Sequence, residues 1–140
     1  MNTIVRVSAL VYPTEIEENV RTAVRNVFPV DLNIRNFGTP QLYGEGDLES
    51  LRGLHILLRE FLILDTARRI LINGIEGNIT QFRLNKQVAF VGKVNFPPGE
   101  ESLGSIHVEI SSDNEEDLMM IIDWLAPETV EGTPVREIEL

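Results

Sequence analysis

The chain has 140 residues, 43% of them hydrophobic, with a formal net charge of −10 and a pI of about 4.6. That is enough apolar material for one globular core and too much for a disordered chain. The absence of cysteine excludes disulfides, thiolate metal sites and cysteine nucleophiles. The acidity opposes indiscriminate binding to phosphate backbones.

Thr3–Tyr12 puts Val5, Val7, Ala9 and Val11 on one side at a period of two, which predicts a strand stopped by Pro13. Thr14 with Glu17 three residues on is a capping box, and Ile16, Val20, Ala23, Val24 and Val27 follow at helical spacing up to Pro29. Val30, Leu32 and Ile34 alternate with Asp31, Asn33 and Arg35, predicting a second strand with one wet face. Gly38–Gly46 reads as a loop with room for a short strand at Gln41–Tyr43. Asp47 caps a helix to about Leu62, with Leu48, Leu51, Leu54, Leu58 and Phe61 as its buried stripe. Asp65 caps a second helix, Thr66–Asn73, closed by Gly74.

Gly77-Asn78 is a turn, and Ile79–Leu84 with Val88–Phe96 then reads as a hairpin over Asn85-Lys86-Gln87. That register puts Phe82, Leu84, Val88 and Phe90 on the buried face. Gln81, Arg83, Ala89, Val91, Lys93 and Asn95 share the other. Pro97–Ser105 is a loop. Ile106, Val108 and Ile110 mark a further strand with His107 and Glu109 outward. Asp113 caps a last helix, acidic in its first turn, with Leu118, Ile121, Ile122 and Leu125 inward. Residues 127–140 form a less regular tail with room for a short strand at Val135–Leu140. Clustered, alternating strands predict an α+β fold in one domain, 1–140: an antiparallel sheet with helices packed mainly on one face.

No residues assemble a reaction centre. His55 reads as a packed or partly exposed helix histidine, and Ser8, Ser102 and Ser105 have no visible triad. Gly44-Glu45-Gly46-Asp47 lacks the lysine and third glycine of a phosphate loop, so a turn and helix cap explain it. The acids at Asp113–Asp117 lack the spacing of a calcium loop. The chain is therefore expected to be no enzyme, with no metal and no cofactor. No apolar run reaches the roughly 20 residues of a membrane span. The start MNTIVRV lacks the basic and apolar regions of a secretory signal, so the expected location is cytoplasmic.

Charge distribution says more than net charge. Between Arg68 and Pro98 the bases Arg68, Arg69, Arg83, Lys86 and Lys93 stand against one acid, Glu76. From Gly99 onward Arg136 stands alone against twelve acids. Gln81 and Asn95 lie among the bases. Guanidinium forks suit phosphate and side-chain amides suit base edges, so this constellation is a candidate RNA site. Two other readings compete with it. The bases can pair with local acids, or the hairpin face carrying Ala89 and Val91 can join two copies of the chain.

Three runs carry a resemblance: Leu64-Asp65-Thr66-Ala67-Arg68, Gly74-Ile75-Glu76-Gly77-Asn78, and Leu84-Asn85-Lys86-Gln87-Val88-Ala89-Phe90-Val91-Gly92. So do Tyr12-Pro13-Thr14-Glu15, Gly44-Glu45-Gly46, Leu103-Gly104, and Ile122-Asp123-Trp124-Leu125-Ala126-Pro127 before Thr129-Val130. Together they span nearly the whole chain, which resembles the archaeal uncharacterised protein family 0201. The resemblance implies a fold like the large-subunit ribosomal protein that binds 5S RNA. It also implies a protein that binds structured RNA, and it carries over no catalytic residue.

Overall fold

The valine-rich first segment forms strand β1 (Ile4–Leu10), whose period of two sends Val5, Val7 and Ala9 inward and leaves Arg6 and Ser8 on the opposite face. A computed structural model describes residues 2–98 and 104–140, so most of the loop expected at 97–105 lies outside the described residues. After β1 come α1 (Glu17–Val27), β2 (Asn33–Phe37), β3 (Thr39–Gly46), a 3-10 turn at Leu48–Leu51, α2 (Arg52–Glu60) and α3 (Leu64–Asn73). Then follow β4 (Ile75–Glu76), β5 (Ile79–Asn85), α4 (Lys86–Phe90), β6 (Ser105–Ser111), α5 (Glu115–Leu125), β7 (Thr129–Val130) and β8 (Thr133–Pro134).

Six strands form one sheet in the order β2-β3-β1-β6-β5-β4, and every neighbouring pair is antiparallel. The inward side chains of β1, β5 and β6 join Val20 and Val24 of α1, Leu54 and Leu58 of α2, Leu71 of α3 and Ile121 of α5 in one core. The fold is α+β, as expected from the strand clustering, with the helices gathered over one face.

Three local expectations are corrected. First, Gly38–Gly46 is not a loop with a short strand at Gln41–Tyr43 but holds the whole of β3, the longest strand of the sheet. Its glycines look like breakers in sequence. In the fold Gly44 faces the Val30–Leu32 segment, where a Cβ would lie 2.5 Å from the Asp31 carbonyl oxygen. Only a residue without a side chain lets the two segments meet. The preceding strand moves accordingly, from the expected 30–35 to 33–37, and the chain reverses at Gly38 with φ +78°.

Second, the expected hairpin partner at Val88–Phe96 does not exist. Asn85 caps a helical turn by accepting a hydrogen bond from the Val88 backbone at 2.8 Å, and Gly92 ends it with φ +79°. Phe82 and Leu84 are buried as expected, but Phe90 is 43% exposed. Ala89 is buried, and Asn26 of α1 donates to its carbonyl at 2.9 Å. The apolar sheet face that was to join two copies is therefore not formed.

Third, several caps differ. Asp47 does cap the 3-10 turn, its carboxylate accepting from the Glu49 backbone N–H at 3.1 Å. The last helix is capped by Asn114 rather than Asp113, and α1 and α3 begin without a side-chain cap. The tail holds the small β7–β8 hairpin in place of a strand at 135–140.

Candidate nucleic-acid interface

Outward positions of five strands line up across the uncovered face of the sheet. One row runs Asn33, Tyr43, Ser8, His107, Arg83, each directly opposite the next. A second runs Glu45, Arg6, Glu109, Gln81. A third, shorter row places Arg35 against Gln41. The period of two makes these rows continuous, because each strand contributes only its wet side. They line a groove of about 910 Å³.

Its centre carries one cation against two acids. Arg6 lies between two carboxylates, with Nε 3.3 Å from Glu45 Oε2 and Nη1 3.1 Å from Glu109 Oε1. Gln81 Nε2 donates to the other Glu109 oxygen at 3.4 Å. The edges differ. At one, the Arg35 guanidinium carbon sits 3.8 Å from the centroid of the Tyr43 ring, and among the described residues it makes no ion pair. At the other, Arg83 and His107 stand side by side, each with interaction partners of its own. Among the described residues, no three His, Cys, Asp or Glu side chains gather as metal ligands.

Of the residues expected to bind RNA, Gln81 and Arg83 lie on this face. The others do not join them. Lys86, expected at an exposed hairpin tip, opens α4 with its side chain 3% exposed. Its Nζ donates to the Leu10 carbonyl at 2.8 Å and to Glu15 Oε1 at 3.0 Å. Arg68 points along the helix layer, where Nη1 donates to Asp123 Oδ1 at 2.8 Å and to the Ala126 carbonyl at 3.1 Å. Arg69 is exposed on α3, and Lys93 and Asn95 are exposed in the segment after α4. The structure instead brings Arg6, Ser8, Asn33, Arg35 and Tyr43 to the groove. Their signal in the sequence was the polar half of each alternating strand. For Tyr43 it was masked by the glycines around it.

Comparison with other proteins fixes the family. Over 140 aligned residues the chain is 45% identical to the UPF0201 protein of Methanopyrus kandleri, covering 92% of this chain and 87% of that one. It belongs to the UPF0201 family. A family model described as RNA binding matches residues 4–112, a span that contains all six strands of this UPF0201 protein's main sheet. The UPF0201 protein of Methanosarcina acetivorans is 41% identical over 150 aligned residues, covering 97% of this chain and 92% of its own. The crystal structure of the UPF0201 protein from Methanococcus jannaschii superposes with a TM-score of 0.86. It is 38% identical and spans 95% of this chain and 99% of that one. Among the described residues, no helix is long and apolar enough to cross a membrane.

Proposed function

We propose that this UPF0201 protein binds RNA on the open face of its sheet and does so without catalysing a reaction. The observation that carries this reading is the groove across five strands, left bare by the helix layer and edged by Arg35 on Tyr43 and by Arg83 beside His107. A strongly acidic molecule attracts RNA only where its own field is locally reversed or neutral. This face offers that over the groove as a whole, where Arg6, Arg35 and Arg83 stand against Glu45 and Glu109. The family model described as RNA binding supports the same reading. The seven residues expected from sequence enter it unequally: Gln81 and Arg83 are retained, and Arg35 and Tyr43 join them.

The test is fluorescence anisotropy with a labelled RNA hairpin over a range of salt concentrations. Replacing Arg35 and Arg83 together by alanine should weaken binding. It should also flatten the log–log salt slope by up to about two contacts, each worth roughly 0.7–0.9. Replacing Arg69 and Lys93 by alanine, off the face, should change neither. If the second pair carries the loss and the first does not, the interface is on the helix side. No salt-dependent binding by the wild type rejects the function.

A further inference from the structure

We infer that the RNA this face takes is unpaired: a loop or single-stranded segment laid across the strands with its bases stacked at the Tyr43 edge, not a duplex held by its phosphates. The inference rests on the RNA-binding reading above and narrows its ligand.

Charge is the first reason. Duplex recognition without base reading relies on cations that follow the phosphates. Here the central cation, Arg6, is already engaged by Glu45 and Glu109. A phosphate over the middle of the face would meet two carboxylates. The exocyclic amino group of a base would meet two acceptors, which is the interaction a carboxylate makes with cytosine. The centre is therefore built for base edges.

Stacking is the second. Unpaired bases are held on aromatic rings and guanidinium planes. Arg35 and Tyr43 already form such a stack, 3.8 Å apart, on the outward side of β2 and β3. Strand alternation puts Phe37 on the same side, two residues beyond Arg35, and it is 88% exposed. A single exposed phenylalanine is ordinary on a surface. This one stands at the end of β2, on the side of Arg35 away from the Asn33–Tyr43 row, where an RNA strand crossing the stack would meet it next.

Size and chemistry agree. Five strands at their ordinary spacing span about 19 Å, room for roughly the two or three bases that a four-stranded platform stacks. Ser8, Asn33, Gln41 and Gln81 line the groove with neutral groups that both donate and accept. Such groups suit ribose hydroxyls and base edges better than a run of phosphates.

The experiment compares two probes of one length on the full chain: a single-stranded RNA of mixed, non-self-complementary sequence, and the blunt duplex formed with its complement. The single strand should bind at least about tenfold more tightly. Tyr43→Leu should weaken it by about 5- to 150-fold, the worth of one stacked base. The salt slope and the duplex affinity should be nearly unchanged, and Tyr43→Phe, which keeps the ring, should bind like wild type. Phe37→Ser, at a position with no burial to lose, should weaken the single strand in the same way and covers the case in which Tyr43→Leu does not fold. Equal affinity for both probes, or preference for the duplex, overturns the inference and leaves RNA binding standing. Binding of neither probe overturns the RNA-binding reading itself.

Discussion

Arg59 and Arg68 on the helix side are consumed by the fold, whereas Arg35 on the open side is held by an aromatic ring and keeps its charge for a ligand. Arg59 grips both oxygens of Glu137, at 2.8 and 2.6 Å, and donates to the carbonyls of His55, Trp124 and Leu125. Arg68 reaches Asp123 and the Ala126 carbonyl. Both therefore cap the last carbonyls of α5, where the helix dipole favours a cation. Arg59 also ties down the acidic tail. The lesson of the contrast concerns charge read along a chain. The basic stretch from Arg68 and the acidic stretch from Gly99 are separate in sequence. In part they are two halves of one set of ion pairs.

Mutations at the two kinds of base should separate stability from binding. The largest effect is expected on the consumed side, at Lys86→Met. It leaves the Glu15 carboxylate and the Leu10 carbonyl without their buried partner. Loss of one member of a buried pair costs about 3–5 kcal/mol. Urea unfolding should show it, with RNA affinity of the folded protein unaltered. A loss under about 1 kcal/mol would return Lys86 to the list of surface bases.

An intermediate effect is expected at Arg59→Ala, about 1.5–3 kcal/mol for the loss of charged hydrogen bonds. On the open face Arg35→Ala should change stability by no more than about 0.5 kcal/mol while it weakens RNA binding. If the two substitutions cost the same stability, the distinction between consumed and available arginines fails.

The smallest effect should be in pH. Burial chiefly, with the Arg59 and Arg52 charges also acting, holds the His55 imidazolium below its usual pKa, although Glu137 pulls the other way. His55 lies stacked 4.6 Å from the Trp124 ring. The unfolded chain therefore takes up this proton at a higher pH than the folded one. Stability is full above the ordinary histidine range and declines as pH falls from there through the lowered value. Glu137, held below its ordinary value chiefly by the hydrogen bond from Arg59, adds a loss only at more acidic pH, as it titrates in turn. Thermal midpoints of wild type and His55→Gln from pH 7 to 5 should show a decline in the first that is shallower in the second. Parallel curves would remove His55 from the balance.

Much of the fold was legible in the sequence where a period of two or 3.6 ran long enough. β1, β6 and most of the buried stripes of α1, α2, α3 and α5 follow the expected residues, as at Val5, Val7 and Ala9, or Leu118, Ile121 and Ile122; Ile16, expected on the α1 stripe, is instead exposed, and Leu48 and Phe61 are half-buried. The misreadings fall where the local signal was short or doubled. Val88–Val91 is an apolar run too brief to separate strand from helix, although Asn85 and Gly92 bracket it with the start and stop signals of a helical turn. Gly44 and Gly46 hid β3 because a glycine that breaks a strand and a glycine that admits a neighbour look alike.

The site was less legible than the fold. Which side of each strand is wet is a local property, and Gln81, Arg83, His107 and Glu109 could be assigned to it from alternation alone. Which strands become neighbours is not local. Arg6 meets Glu45 across 39 residues and Glu109 across 103, and Lys86 meets Glu15 across 71. The chain by itself determined periodicity, turns and the sign of each charge, because these depend on a residue and its near neighbours. The tertiary structure alone decided which charges cancel and which face a groove, because Coulomb energy depends on distance in space and on the water excluded between partners.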